Sequence, residues 1–207
     1  MPALDDAPFA QIIPLIPVLN HSEEVNAAWW GPHFAQAGLQ AQFDAIFGQN
    51  ASIRLSRNRL RNFAYPNGIQ KCLEVMLWGF PHGMRGNQLQ MFLGNVAGIA
   101  AAADAAADWH QYYDQLHGLG ASLNMAKITK LAYFHHRIFD GNTALILDEK
   151  IKGICESGRW EELRHLRRLT VRRYCDYLRA INGIAERITC RPDQIGFFLF
   201  QMGTSFE

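Results

Sequence analysis

Metal-binding patterns, membrane spans and strand-like alternation are all scarce in this chain. Its four cysteines (Cys72, Cys155, Cys175 and Cys190) are widely spaced with no C-x-x-C pair. That indicates neither a zinc site nor a disulfide framework, and reduced thiols are expected. His135 and His136 are adjacent, so on a helix their rings diverge and cannot form an i, i+4 metal pair; no metal and no cofactor is expected. The longest apolar-looking run, Val96 to Ala107, is alanine-rich, interrupted by Asp104 and too short to span a bilayer. The opening MPALDDAPFA is acidic where a signal peptide is basic, so a cytoplasmic location is expected, with no membrane partner. A phosphate loop, a G-x-S-x-G elbow and an H-x-E with P-C-x-x-C are missing, which excludes the usual zinc deaminase among others. No convincing strand alternation stands out, and the fold class read from the pattern is all-α.

What is present is a globular composition with an uneven charge distribution. Hydrophobic content of 49% against 19% charged residues rules out a disordered chain, and 207 residues suffice for one well-cored domain or two small lobes sharing a cleft. The overall charge of +1 hides two poles. Residues 1–50 hold no Lys or Arg and five acids, whereas residues 150–179 hold nine bases against four acids. A basic pole suits an anion, nucleic acid being the commonest large one; a solvated helix face explains it equally well.

Residues 1–20, with Pro2, Pro8, Pro14 and Pro17, read as an extended arm, and residues 21–207 as one compact domain. Ser22 is placed to cap a helix that stops near Gly31-Pro32. Arg54, Arg57, Arg59 and Arg61 form a basic cluster, followed by a short helix from Ile69 to Trp78 and a glycine-rich loop. Gln88 to Ala107, Ala103 to Leu116 and Lys127 to His136 read as helices, as does Leu145 to Ile154. Arg159 to Ile181 is the longest periodic segment, with Leu163, Leu166, Val171, Tyr174, Leu178 and Ile181 on one stripe. Pro192 opens a last helix that Gly203 closes.

The chemistry concentrates between Gly118 and Ile151. Gly118-Leu119-Gly120 lets a backbone approach a ligand closely and offers N–H groups to a phosphate; a helix C-cap with a tight turn explains it as well. Lys130 lies among apolar Ile128, Leu131, Ala132 and Phe134, where burial favours the neutral, nucleophilic amine. Lys127, three residues earlier, adds a second positive charge, and both lysines can equally be solvated or bind phosphates. Asp148 follows four apolar residues and either caps the next helix or stabilises a sugar cation in a cleft. Trp29, Trp30, Trp78, Phe80 and His82 can line a base pocket, although core packing is the commoner fate of such aromatics.

In this order the pieces resemble the helix-hairpin-helix DNA glycosylase superfamily, specifically its compact bacterial 8-oxoguanine DNA glycosylase-like branch. The resemblance covers roughly residues 70–203 and rests on Leu77-Trp-Gly-Phe-Pro-His-Gly-Met-Arg-Gly86, Gly118-Leu-Gly120, Thr129-Lys-Leu-Ala-Tyr-Phe134, Ala144 to Asp148, and Asp193 to Gly203. It implies a two-lobed helical fold with the active site between the lobes, acting as a monomer on double-stranded DNA that carries a modified base, 8-oxoguanine by default. In a nucleoid-associated repair role, Lys130 or Lys127 would be the Schiff-base nucleophile, with AP-lyase activity following, and Asp148 would stabilise the sugar cation. Gly118 and Gly120 would hold a phosphate, and the predicted arginine-rich helix (Arg164, Arg167, Arg168, Arg172) would add backbone affinity. The chain departs from the better-known branches in two places: Ser122 stands where their lysine follows the second glycine, and His117 where a proline often precedes the turn. The competing classes are a non-catalytic helical DNA-binding or assembly protein and, further off, a lysine Schiff-base enzyme for a small carbonyl metabolite.

Overall fold

The computed structural model describes residues 2–84, 86–105 and 108–204. In chain order the elements are α1 (Phe9–Ile12), β1 (Ser22–Asn26), α2 (Ala27–Gln36), α3 (Gln40–Phe47), β2 (Ser52–Ser56), α4 (Arg57–Asn62) and α5 (Gly68–Gly79). There follow α6 (Gln88–Gly94), α7 (Val96–Ala105), α8 (Trp109–Gly118), α9 (Met125–Phe134), β3 (Ile138–Phe139), β4 (Asn142–Thr143), α10 (Glu149–Glu156), α11 (Tyr174–Arg187) and α12 (Pro192–Thr204). The fold is mostly helical, as the pattern implied, but with two small antiparallel sheets. In one, β1 pairs with β2 from Ser22↔Ser56 to Asn26↔Ser52. Ala106 and Ala107, the end of the expected alanine-rich helix, lie outside the described residues. No helix among those described is long and apolar enough to cross a membrane.

Two helices form the centre. In α5 every residue from Cys72 to Trp78 is buried, and in α9 every residue from Ala126 to Phe134 is buried except Lys130. A helix apolar on nearly all sides has to sit inside the protein, and these two pack on each other. Their lengths follow from local caps: the Asn67 and Asn124 side chains accept from the Gln70 and Lys127 amides at 2.9 and 3.1 Å. Between α8 and α9, which pack on each other, Gly120 takes φ +65°, a left-handed conformation that suits glycine in a tight turn.

The segment Ala144–Leu147 is buried yet belongs to no sheet, so beyond the Ala144 N–H, which donates to the Arg137 carbonyl at 2.8 Å, side chains supply partners for its backbone. Thr129 Oγ1 on α9 accepts from the Leu147 N–H at 3.0 Å. The Tyr174 hydroxyl accepts from the Leu145 N–H at 3.0 Å and donates to the Leu145 carbonyl at 2.6 Å, and Tyr177 donates to the Ile146 carbonyl at 3.1 Å. These bonds from α9 and α11 fix where Asp148 emerges.

Several expectations change. The proline-rich residues up to 20 form α1 and two 3-10 turns rather than an extended arm, with Leu4, Ile13 and Val18 in the core. Ser22 opens β1 instead of capping a helix; Asn26 caps α2, accepting from Ala28 at 2.8 Å, and α2 runs through Pro32 to Gln36. The largest difference is the arginine-rich stretch. Residues 159–173 are irregular, with 3-10 turns at Arg164–Leu166 and Val171–Arg173, and a helix starts only at Tyr174. Arg168 sits at φ +63° and breaks any helix there. Arg173 holds the irregular path by donating to the Arg167 and His165 carbonyls at 2.7 and 2.6 Å. Of the expected apolar stripe, Leu163, Leu166, Tyr174, Leu178 and Ile181 are buried, while Val171 is only partly so.

Candidate active site

The C-terminus of α5, the middle of α9 and the N-terminus of α10 converge on a cavity of about 140 Å³. Its walls include His21, Glu23, Arg57, Trp78, Lys130 and Asp148. That is smaller than the roughly 300–1,000 Å³ of sites for drug-sized ligands, and suits a single ring system or sugar.

Lys130 projects from α9, its Nζ donating to the Gly79 carbonyl at 3.4 Å and lying 4.5 Å from the centre of the Phe80 ring. Loss of water around the ammonium holds its pKa below the ordinary lysine value. Arg57 and Lys127 push the same way, while Asp148 and Glu23 oppose. Asp148 caps a helix and also lines the cavity. As N-cap of α10 its Oδ1 accepts from the Ile151 amide at 3.0 Å, which leaves the second carboxylate oxygen free of the cap.

Lys127 is only 2% exposed and does not line the cavity. Its Nζ donates to Gln88 Oε1 and to the Ser122 carbonyl, both at 2.8 Å, tying the α8–α9 turn to α6. Its pKa is lowered by burial. Of the two lysines, then, Lys130 is the one beside Asp148.

The aromatic residues divide. Trp78 forms a cavity wall, and Phe80 lies under both ammonium groups. Trp29 and Trp30 do not line the cavity. They brace the 80–84 loop from outside: Trp30 Nε1 donates to the Pro81 carbonyl at 3.4 Å, and Trp29 lies so close to Gly83 that a Cβ there would fall 2.0 Å from the indole. His82 is exposed on that loop, and Arg85 lies outside the described residues. Gly118 ends α8, and Gly120 joins Ser122 and Asn124 beside a separate open cleft of about 420 Å³. Arg164 pairs with Glu161 at 3.7 Å, Arg167 lies over Gly158, and Arg172 borders a cleft with Asp108, Asp114, Asp140 and Asp176. None of the four arginines lines the Lys130 cavity.

Sequence reasoning did not single out His21, Glu23 or, individually, Arg57. The β1–β2 pairing brings them in: His21 precedes β1, Glu23 lies within it, and Arg57 follows β2, its N–H donating to the His21 carbonyl at 2.9 Å. The His21 ring packs on Trp78 and Phe197, with centroids 5.4 and 5.0 Å away, and burial lowers its pKa to about 4. It is therefore neutral near pH 7. One signal was available, since Ser52-Ile-Arg-Leu-Ser alternates polar and apolar residues as a strand does.

A family model described as "Putative 8-oxoguanine DNA glycosylase OGG-like protein" matches residues 16–200. The chain belongs to this OGG-like family. No curated protein and no solved structure matches it. The OGG-like match begins well before residue 70, so β1, β2 and Arg57 lie within the matched range along with Lys130 and Asp148.

Proposed function

We propose that this OGG-like chain is a DNA glycosylase that cleaves the bond between a modified base, 8-oxoguanine in the first instance, and deoxyribose. The observation that carries the reading is the shared cavity of Lys130 and Asp148. The neutral Lys130 amine attacks C1′, and a new C–N bond forms as the bond to the base breaks. The bonding electron pair leaves with the base. Asp148 stabilises the positive charge that builds on the sugar, then relays the proton shed by the amine toward the departing base. The C1′–O4′ bond then breaks as the remaining amine proton passes to O4′, giving a Schiff base between Lys130 and C1′ from which strand scission can follow. A two-lobed grip on duplex DNA, with the target base flipped into the cavity, completes the reading.

Single-turnover base release from duplex oligonucleotides carrying 8-oxoguanine tests it. Release should fall by at least about 100-fold in Lys130→Gln and in Asp148→Asn, the scale of removing an essential catalytic group. Release that survives Lys130→Gln but not Asp148→Asn would assign a monofunctional enzyme in which Asp148 activates water. Tight DNA binding without base release on any lesion would leave a binding protein instead.

A further inference from the structure

Arg57 is a cation inside the protein without a counter-ion of its own. The residue is 6% exposed and lines the Lys130 cavity. Its guanidinium is surrounded by Trp78, Tyr133 and Phe197, with ring centres 5.1, 5.7 and 5.0 Å away. Among the described residues, it has no carboxylate within ion-pair distance, and its buried Nε has no hydrogen-bond acceptor. Of the nearby acids, Asp193 accepts from Tyr133 at 2.6 Å and pairs with Arg191, both through Oδ2, while its buried Oδ1 has no hydrogen-bond partner. Glu23 lies 3.4 Å from the neutral His21 ring, and Asp148 caps α10.

A purely structural role accounts poorly for this arrangement. Contacts with aromatic faces return only part of the cost of taking an ion out of water. A methionine or leucine would fill the same aromatic cage without that penalty. A guanidinium presents its N–H groups in a rigid plane and does not give up a proton near neutral pH. It can therefore stabilise negative charge by hydrogen bonding without transferring a proton.

We infer that Arg57 is a further catalytic residue, the electrophile that receives the departing base. This rests on the glycosylase reading above. As the bond from C1′ to the base nitrogen breaks, the electron pair stays on the heterocycle, and the Arg57 N–H groups donate to its electron-rich nitrogen or carbonyl oxygen. Arg57 keeps its protons. The base is neutralised by the proton that Lys130 sheds on bonding to C1′. The substrate class is thus a base whose anion is spread over ring nitrogens and carbonyls, as in an oxidised purine.

The test separates base departure from sugar chemistry. Full-length wild type, Arg57→Met and Arg57→Lys are compared on duplexes carrying 8-oxoguanine and on duplexes with a preformed abasic site, where no base leaves. Removing one preorganised donor typically costs about 10²–10³ in rate. Base release in Arg57→Met should fall by about that factor, while borohydride trapping on the abasic site stays within about threefold of wild type, both read at the high-pH plateau. Arg57→Lys, which keeps the charge, should recover part of the base release. Equal loss on both substrates, or unchanged base release in Arg57→Met, overturns the inference. If Lys130→Gln abolishes release while Arg57→Met does not, only the role of Arg57 falls; a wild-type chain that releases no base overturns both readings.

Discussion

Replacing Arg59 by methionine tests whether the α4–α5 junction holds the cavity wall in place. Glu74 on α5 is fully buried, and four groups donate to it. They are Arg59 Nε and Nη2, each at 3.0 Å, the Tyr65 hydroxyl at 3.0 Å and Gln70 Nε2 at 3.1 Å. Arg59→Met keeps the aliphatic stem but strands the carboxylate inside the protein, a change that generally costs about 3–5 kcal/mol. Two neutral donors remain and the Arg59 side chain is 40% exposed, so the lower end applies, about 3 kcal/mol. For a chain of this size each kcal/mol moves the melting temperature by about 2–4 °C, giving an expected drop of about 6–12 °C by circular dichroism or calorimetry. Adding Glu74→Gln removes the stranded charge and should restore more than half of the loss. Base release should also fall in Arg59→Met, because Arg57 begins the same short helix. A drop of less than about 2 °C, or no recovery in the double variant, would refute the argument that a buried charge pair fastens α4 to α5.

Other expectations concern titration and the second lysine. The rate of base release should rise with pH and level off below the 10.5 of an ordinary lysine, because burial lowers the Lys130 pKa. Asp148 opposes that lowering and Arg57 reinforces it, so the acid limb of a single-turnover pH profile should move to lower pH in Asp148→Asn and to higher pH in Arg57→Met; an unmoved limb in both would detach the limb from Lys130. His21 and His135 are held neutral, each lowered from 6.5 to about 4 chiefly by burial. The unfolded chain binds those protons first, so their contribution is complete above about pH 6.5 and is lost as pH falls toward 4, up to about 3 kcal/mol for the more buried His135 and less for His21, whose partial exposure screens it. Thermal melts from pH 7 to 4.5 should show this loss, with a shallower slope in His135→Gln. Lys127→Met should lower the melting temperature by removing the bonds to Gln88 and Ser122 yet keep borohydride trapping; loss of trapping in a folded Lys127→Met would bring Lys127 into the chemistry.

Much of the site was legible because its parts are local in sequence. The helix around Lys130 and the acid that follows the apolar Ala144–Leu147 could be read from the pattern, although the helix expected from Leu145 begins only at Glu149, after a buried segment outside any helix. The separation of Lys127 from Lys130 was not legible. Both lie on one helix three residues apart, and only tertiary partners, Gln88 and the Ser122 carbonyl for one, Gly79 and the cavity for the other, tell them apart. Arg57 was hidden for a different reason. It reaches the site through a strand pairing that closes across α2 and α3, and Ser22-Glu-Glu-Val-Asn26 carries no alternation to reveal it. The arginine-rich stretch misled because leucines three residues apart bury equally well in a helix or in successive 3-10 turns. There, backbone strain at Arg168 and the carbonyl contacts of Arg173 decide the path.

The most direct test of the central claim is to locate the covalent adduct. Wild-type protein is incubated with a duplex carrying 8-oxoguanine in the presence of borohydride, digested, and the modified peptide sequenced by mass spectrometry. The account predicts a reduced sugar adduct on Lys130, lost in Lys130→Gln and retained in Lys127→Gln. An adduct on Lys127, or base release with no adduct on any lysine, would contradict it.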